Sequence, residues 1–468
     1  MTTATTEPGV GAAGAAGGRK GSRWIDSWDP EDEQFWESTG KRVALRNLVV
    51  SILSEHIGFS IWSLWSVMVL FMGPKYHVDP AGKFFLVATP TLVGSILRVP
   101  YTFAVARFGG RNWTIISATL LLVPSITAAF IMHPGTSYTT FMVVAALTGV
   151  GGGNFASSMT NINSFYPLRK KGWALGLNAG GGNLGVAVIQ LIALLVIGTT
   201  GVMHPKIVLA VYIPLIVVAA VFAAAFMDNL APVRNDTGAA KEVARDAHTW
   251  IVSFLYLGAF GSFIGYSFAF GLVLQNQFHR TPLQAAALTF IGPLIGSLIR
   301  PVGGRLADRV GGAKITLCAF LAMAAVTLLV IVASLQKSLP LFLVGFIALF
   351  TLSGLANGST YKMIPGIFQA KAVARGLEGE QAAAYGRRLS GASMGLIGAV
   401  GALGGLGINL AFRESFLTAK SGVPAFVAFL VFYALCSAVT WAVYLRTASA
   451  ADPADAAQPQ RQLTYVEV

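Results

Sequence analysis

Three observations predict an all-α membrane protein of twelve transmembrane helices, arranged as two pseudo-symmetric six-helix bundles. Charged residues make up 11% of the chain, against about 25% in a soluble domain. Long apolar runs reach the roughly 20 residues needed to cross a bilayer. A motif of the first half returns in the second at a fixed offset.

In order, the apolar runs cover residues 48–72, 83–105, 113–132, 139–165, 172–197 and 205–227, then 249–274, 283–304, 313–335, 340–364, 389–412 and 423–446. The longest internal polar linker, 228–248, falls between the sixth and the seventh. The expected organisation is a tail over 1–47, a first bundle over 48–227, the linker 228–248, a second bundle over 249–446 and a tail over 447–468. The first 40 residues are polar and Gly/Ala-rich, pass into "WDPEDEQFW" and end at "GKR", with no cleavable signal peptide in view.

The loops set a direction. Lys and Arg number 23 on the side that holds both tails and the linker, and 7 on the other. Three more, Arg98, Arg300 and Lys362, lie within spans. Basic loops stay in the cytoplasm. The chain is therefore expected in the cytoplasmic (inner) membrane of the cell, multi-pass, with both termini inside. The net charge of +13 sits in these short loops, so nucleic acid is not an expected partner. Cys318 and Cys436 lie in apolar runs, which excludes a disulfide scaffold and a cysteine metal site. Only His56 among six histidines is clearly intramembrane, too few for a haem-bearing redox enzyme. No enzymatic activity and no cofactor are expected.

The repeat names the first candidate residues. Gly94-Ser95-x-x-Arg98 pairs with Gly296-Ser297-x-x-Arg300 at an offset of 202 residues. Nine positions after each arginine comes Arg-x-Gly-Gly, at Arg107 and at Arg309, with the same offset. The second copy is the fuller "GGRLADRVGG"; in the first, Ala106 stands at its acidic position. A fainter echo links "TGVGGGN" of span four to "SGLANGS" of span ten. Such repeats place binding sites at the midplane between halves.

An arginine at mid-span costs about 2.5–3.5 kcal/mol on insertion scales. The clear intramembrane carboxylate is Glu55 alone. Two arginines with one acidic candidate point to an anion that arrives from outside the protein. Inherited packing after duplication is the plainer reading of the same pair. Most glycines of spans four, five, ten and eleven read as close helix packing. Asn154, Asn183 and Asn357 are harder to set aside, because a buried amide needs partners.

"GGGNFASSMTNINSFYP" followed by "KGWALGLNAGGGNLGV" resembles the signature region of the bacterial nitrate/nitrite porter family within the major facilitator superfamily. "GNGSTYKMIP", "FGSFIGYSFAF" and "WDPEDEQFW" are similar to further parts of that family, and the likeness runs from about residue 25 to 450. It implies the major facilitator fold and an alternating-access transporter. It implies Arg98 and Arg300 as substrate arginines and Phe155 and Phe260 as rings flanking a planar anion. Tyr256 and Asn183 match polar contacts, and Phe59 matches less closely. Ala179 stands where the family often has glycine.

The physics of the residues agrees. Nitrate and nitrite are flat, delocalised monoanions, and a guanidinium offers a planar fork of donors. Rings above and below would exclude tetrahedral ions by shape. Alone, Phe155 and Phe260 would read as packing.

Glu55 and His56 are proton-relay candidates; the alternative is that Glu55 pairs with a base such as Lys362. Lys362 reads either as a gating or anion-release group or as an interfacial lysine. The family includes both proton symport and nitrate/nitrite exchange, and both stay open. The expected partners are nitrate and nitrite, protons under symport, and the lipid bilayer, with the chain a monomer. A carrier of another small planar anion, such as a carboxylate, would leave the Asn/Gly signature unexplained. A non-transporting nitrate sensor is disfavoured by tails of roughly 45 and 20 residues with no folded domain in view.

Overall fold

Across residues 23–446, which the computed structural model describes, twelve helices are long and apolar enough to cross a membrane. Spans one to six are Glu33–Phe71, Pro80–Phe108, Gly110–Ile131, Tyr138–Phe165, Leu168–Thr200 and Lys206–Phe226. Spans seven to twelve are Ala247–Phe278, Pro282–Val310, Gly312–Leu335, Leu339–Ala374, Gly379–Thr418 and Val423–Leu445. Ile96, Phe130, Leu195, Leu298 and Val344 are among the large apolar side chains left exposed. Lipid tails are as apolar as these residues, so the exposure carries no penalty in a bilayer. Span seven is instead buried along nearly its whole apolar window.

Several spans outrun the apolar runs that announce them. Span one is helical from Glu33, inside the stretch expected as tail, and spans ten and eleven leave only a turn at 375–378 where a long loop was expected. Hydropathy marks the part of a helix inside the hydrocarbon. The extensions are rich in Ala, Glu, Lys and Arg, which keep a helix going in water.

Prolines and serines interrupt the spans. Span three breaks at Leu121 and span eight at Phe290, three residues before Pro124 and Pro293; a proline clashes with the preceding turn. Span one breaks at Ser63, where the Ser63 hydroxyl donates to Phe59 O (2.9 Å) and the Ser66 hydroxyl to Ser63 O (2.7 Å). Such back-bonding competes with the helix ladder. The repeated Arg-x-Gly-Gly ends spans two and eight alike. Gly109 (φ 86°) and Gly311 (φ 100°) adopt a conformation that favours glycine, and their amides donate to Val105 O and Ala307 O at 2.9 Å.

"WDPEDEQFW" fastens the N-terminal segment to the linker-side end of the first bundle. Trp24–Ile25 pairs in parallel with Asn229–Leu230. Trp28 Nε1 donates to Phe165 O (3.3 Å), Leu168 N donates to Glu31 (2.9 Å), and Glu33 pairs with Arg169 (2.9 Å). Asp228 gathers the surrounding donors: Arg46 Nη2 at 2.5 Å, Asn47 Nδ2 at 2.9 Å and Arg23 Nη1 at 3.4 Å.

The linker contains a helix that its polar composition did not announce, Thr237–Ala244, capped by Asp236. It is latched to spans ten and eleven. Asp236 takes two donors of Arg388, and Glu242 accepts from Arg375 Nη1 (2.7 Å) and Tyr385 OH (2.6 Å). Lys371 pairs with Asp246. The Arg388 hydrogen bonds, helped by the Ala239 amide, push the Asp236 carboxyl down to about 2.

Asp228→Ala is expected to lower the melting temperature in detergent, by the equivalent of about 1–3 kcal/mol for stripping a buried acceptor. Asp236→Ala should cost mainly the helix N-cap, about 0.5–2 kcal/mol, because its ion pair is solvent-exposed. Asp236 titrates below its ordinary value, so its contribution is present above about pH 4 and lost as pH falls toward 2. Linker protection in hydrogen exchange, followed down that range, should show the release.

Candidate functional site

The middle stretches of spans one, two, four, seven, eight, ten and eleven bring one set of side chains together. Arg98 is fully buried. Its Nε donates to Gly152 O (3.1 Å) and its Nη1 to Gly398 O (2.7 Å), while Nη2 has no hydrogen-bond partner among the described residues. The bond to Gly398 crosses from the first bundle to the second. The guanidinium lies over three rings, Phe155 at 4.6 Å, Phe260 at 4.9 Å and Trp62 at 5.2 Å. Desolvated cation–π contacts of this kind contribute up to about 2 kcal/mol each.

Phe155 and Phe260, one from each bundle, stack on each other at 6.2 Å and 24°. That separation belongs to rings in direct contact, about 4.5–7 Å. The two rings therefore do not flank a gap for a flat ion in this arrangement; Arg98 covers both from the side. Phe59 joins them from span one, 6.0 Å from Phe155.

Arg300 is also buried. Its Nη2 donates to Tyr256 OH (3.4 Å), its Cζ lies 5.8 Å from the Tyr361 ring, and its Nη1 has no partner among the described residues. Tyr256 stacks on Phe260 (5.4 Å, 14°) and packs on Tyr361 (5.4 Å). A continuous ring layer thus connects the two arginines, running Phe155, Phe260, Tyr256, Tyr361.

Glycines set this geometry by letting large groups in. A Cβ on Gly94 or Gly152 would sit 2.5 Å or 2.7 Å from the Trp62 indole, and one on Gly153 would sit 2.8 Å from Tyr101. The Trp62 indole donates to Pro90 O at 2.7 Å. These glycines are packing residues, as their spacing suggested.

Glu55 is buried on the span-one face toward spans four and five. Its Oε2 accepts from Ser158 Oγ and from Asn178 Nδ2 (2.6 Å), and Oε1 has no partner among the described residues. A Cβ on Gly182 would lie 2.7 Å from the Glu55 Cδ. The alternative pairing of Glu55 with Lys362 is corrected here. Lys362 is half-exposed and pairs with Asp308 of the fuller loop motif at 2.8 Å. Hydropathy could not choose between these acids; Asp308 lies on the linker side with Lys362. His56 faces span five, its Nδ1 3.1 Å from Gly181 O. It is not hydrogen-bonded to Glu55.

Asn154, Asn183 and Asn357 are buried, and none has a hydrogen-bond partner among the described residues. Asn154 packs against span one, where a Cβ on Gly58 would meet its Nδ2 at 2.7 Å. None accepts a hydrogen bond from either arginine. Sequence reading missed Tyr361 and the Gly398 carbonyl as arginine contacts, along with Ser158 and Asn178. Tyr361 carried a signal, since it sits in the "GSTYKM" part of span ten. A backbone carbonyl carries none.

The chain matches the Major Facilitator Superfamily over residues 56–406. It is 39% identical to the nitrate/nitrite transporter NarU of Salmonella typhimurium, over 90% of this chain and 96% of that protein. It belongs to the nitrate/nitrite porter family of that superfamily. The NarU protein of Escherichia coli is 38% identical over 91% of this chain and 97% of its own length. A probable nitrate/nitrite antiporter of Thermus thermophilus is 32% identical over 74% and 83%. The D-xylose-proton symporter shares the fold: its crystal structure superposes with a TM-score of 0.65 at 14% identity, covering 85% of this chain and 97% of that one. The porter family's relatives are named transporters, not enzymes.

Asn178→Ala should destabilise the protein by about 1–3 kcal/mol, because it removes a donor from a buried carboxyl group. The double change Glu55→Leu with Asn178→Leu should recover much of that loss, since apolar replacement of a buried polar pair is often neutral or better. Unfolding midpoints of wild type, the single variant and the double variant in one detergent decide it: equal losses for the two variants would place Glu55 outside this cluster.

Proposed function

We propose that the protein carries nitrate, and nitrite with it, across the cytoplasmic membrane by alternating access, as a monomer with the linker and both termini in the cytoplasm. The observation that carries this reading is the arginine pair. Arg98 and Arg300, one from each bundle, are buried without an ion pair among the described residues, and each keeps one terminal nitrogen without a partner. Desolvated guanidinium N–H groups are strong donors to a delocalised anion. The relatives named nitrate/nitrite transporters support the choice of anion.

Tyr256 orients Arg300, and the Phe155–Phe260 stack seals the seam between the bundles. Parting of the bundles opens that stack and exchanges the Arg98–Gly398 bond for bonds to the anion. Asn154, Asn183 and Asn357 then supply amides to the cavity. Ala179, buried where the family often has glycine, removes one such backbone approach. Lys362, paired with Asp308 on the linker side, acts as an interfacial or release group.

The coupling reading turns on Glu55. A buried carboxyl group held by two donors, with one oxygen free, suits a proton that rides inward with the anion. Exchange of nitrate for nitrite needs no such group.

Labelled nitrate uptake into proteoliposomes separates these readings. Wild type is expected to concentrate nitrate under an inward proton gradient, and Glu55→Gln to lose that while retaining nitrate-for-nitrite exchange. Accumulation by the Gln variant equal to wild type makes Glu55 structural; wild type that exchanges nitrate for nitrite but does not concentrate it under the gradient favours exchange; no uptake in either mode contradicts the transport reading. For orientation, Lys241→Cys in a protein lacking Cys318 and Cys436 should resist an impermeant thiol reagent applied to intact cells.

A further inference from the structure

The face opposite the linker holds a feature that the central site does not use. There the two bundles meet in a closed seam. Phe84 of span two stacks on Phe412 (5.7 Å) and Phe416 (5.3 Å) of span eleven, and Gln190 Nε2 of span five donates to Ser267 O of span seven (2.8 Å). Leu70 packs where a Cβ on Gly271 would meet it at 2.9 Å.

Above that seam lies an open cleft of about 340 Å³, whose lining includes Leu70, Met72, Lys83, Gln275 and Arg280. Lys83 belongs to the first bundle and Arg280 to the second. Lys83 Nζ donates to Met72 O (2.5 Å), which spends one of its three N–H groups and steadies the head at the wall. Arg280 Nε is buried and has no hydrogen-bond partner among the described residues. Neither side chain has an ion pair among the described residues.

The acids of this face are engaged elsewhere. Asp79 caps span two through Gly82 N (2.7 Å), and Glu414 lies 3.9 Å from Arg413. The loops of this face carry 7 Lys and Arg against these two acids. The cleft is thus a cationic concavity with low-dielectric walls, which focuses field and raises the local concentration of anions.

We propose that this cleft is a capture site for small inorganic monoanions, loaded while the seam beneath it is closed; the inference rests on the transport reading above and adds an entry step to it. Its volume is about ten times the roughly 30 Å³ share of one water in the liquid, so it admits a nitrate-sized ion with part of its hydration shell. The two sites divide the work. In the open cleft the positive charge of Lys83 and Arg280 draws in an ion that keeps part of its water, and the buried guanidinium forks of Arg98 and Arg300 suit the ion once dehydrated. Lys83 immediately precedes Phe84, so the same turn of span two holds the anion and closes the seam.

The test is initial nitrate uptake by right-side-out membrane vesicles against external nitrate, at low and at physiological ionic strength. Lys83→Gln with Arg280→Gln is expected to raise the half-saturating nitrate concentration about tenfold at low salt. The maximal rate should stay near wild type, and the salt dependence of wild-type uptake should flatten. Lys83→Arg should behave as wild type. Unchanged half-saturation in the double variant overturns the capture site, and so does a Lys83→Arg protein as impaired as Lys83→Gln, which would assign the lysine to its bond with Met72. Wild-type vesicles that take up no nitrate would contradict the transport reading instead, so the two failures separate. Nitrate-dependent thermal stabilisation of the purified double variant, expected at wild-type strength, confirms that the central site is intact.

Discussion

A guanidinium held away from both water and carboxylates constrains everything around Arg98. Its charge is met by two carbonyl oxygens and three ring faces, and one nitrogen is left without a partner among the described residues. Burial of an unpaired charge is among the most costly things a fold can do. The surroundings answer that cost directly. Glycines at 94 and 152 let Trp62 reach its place near the arginine, and the Gly398 carbonyl arrives from the opposite bundle. The same contacts that make the charge tolerable also tie the two bundles together at their centre. The seam and this guanidinium are one structure, so whatever replaces the Gly398 oxygen at Arg98 also weakens the hold between the halves. Under the proposed function that replacement is the anion, and its arrival would be linked to movement.

The second arginine is treated differently. Arg300 is met by tyrosines, through Tyr256 OH and the Tyr361 face, and its backbone carbonyl lies close against Gly358 of span ten. The sequence repeat is therefore a repeat of position and not of environment. One arm is shared between bundles and the other is held within its own. The loop motif is equally unequal: Asp308 engages Lys362, while its counterpart in the first bundle is Ala106. Asp228, Arg46 and the N-terminal segment fasten the linker-side end of that bundle by other means.

Much of this was legible in the sequence because it depends on periodicity and on charge in the wrong solvent. Apolar length announced the spans, and the 202-residue offset announced the paired arginines. Family resemblance brought Phe155, Phe260, Tyr256 and Phe59 to the same place, and the structure brings these side chains together. What stayed hidden has physical causes. Helix beyond the hydrocarbon at 33–47, 365–374 and 379–388 follows local propensity, which hydropathy does not report. The partner of Lys362 depends on three-dimensional placement, and only the structure chooses Asp308 over Glu55. A backbone carbonyl at Gly398 leaves no trace in composition. The expectation of rings on either side of an anion gives way here to rings in mutual contact, since a stack between bundles depends on how far apart the bundles stand.

Under the proposed function Arg98 and Arg300 hold one anion by fork geometry and not by charge alone. The most direct measurement is nitrate affinity, by nitrate-dependent thermal shift on purified Arg98→Lys and Arg300→Lys proteins shown to be monodisperse. Each lysine keeps the charge and loses the planar fork. Loss of one partner of a buried charge pair costs about 2–5 kcal/mol, or roughly 30- to several-thousand-fold in affinity. Both variants are expected to be folded proteins that nitrate no longer stabilises at concentrations saturating for wild type. Wild-type nitrate affinity in both lysine variants would contradict it and return the two arginines to the packing of the seam.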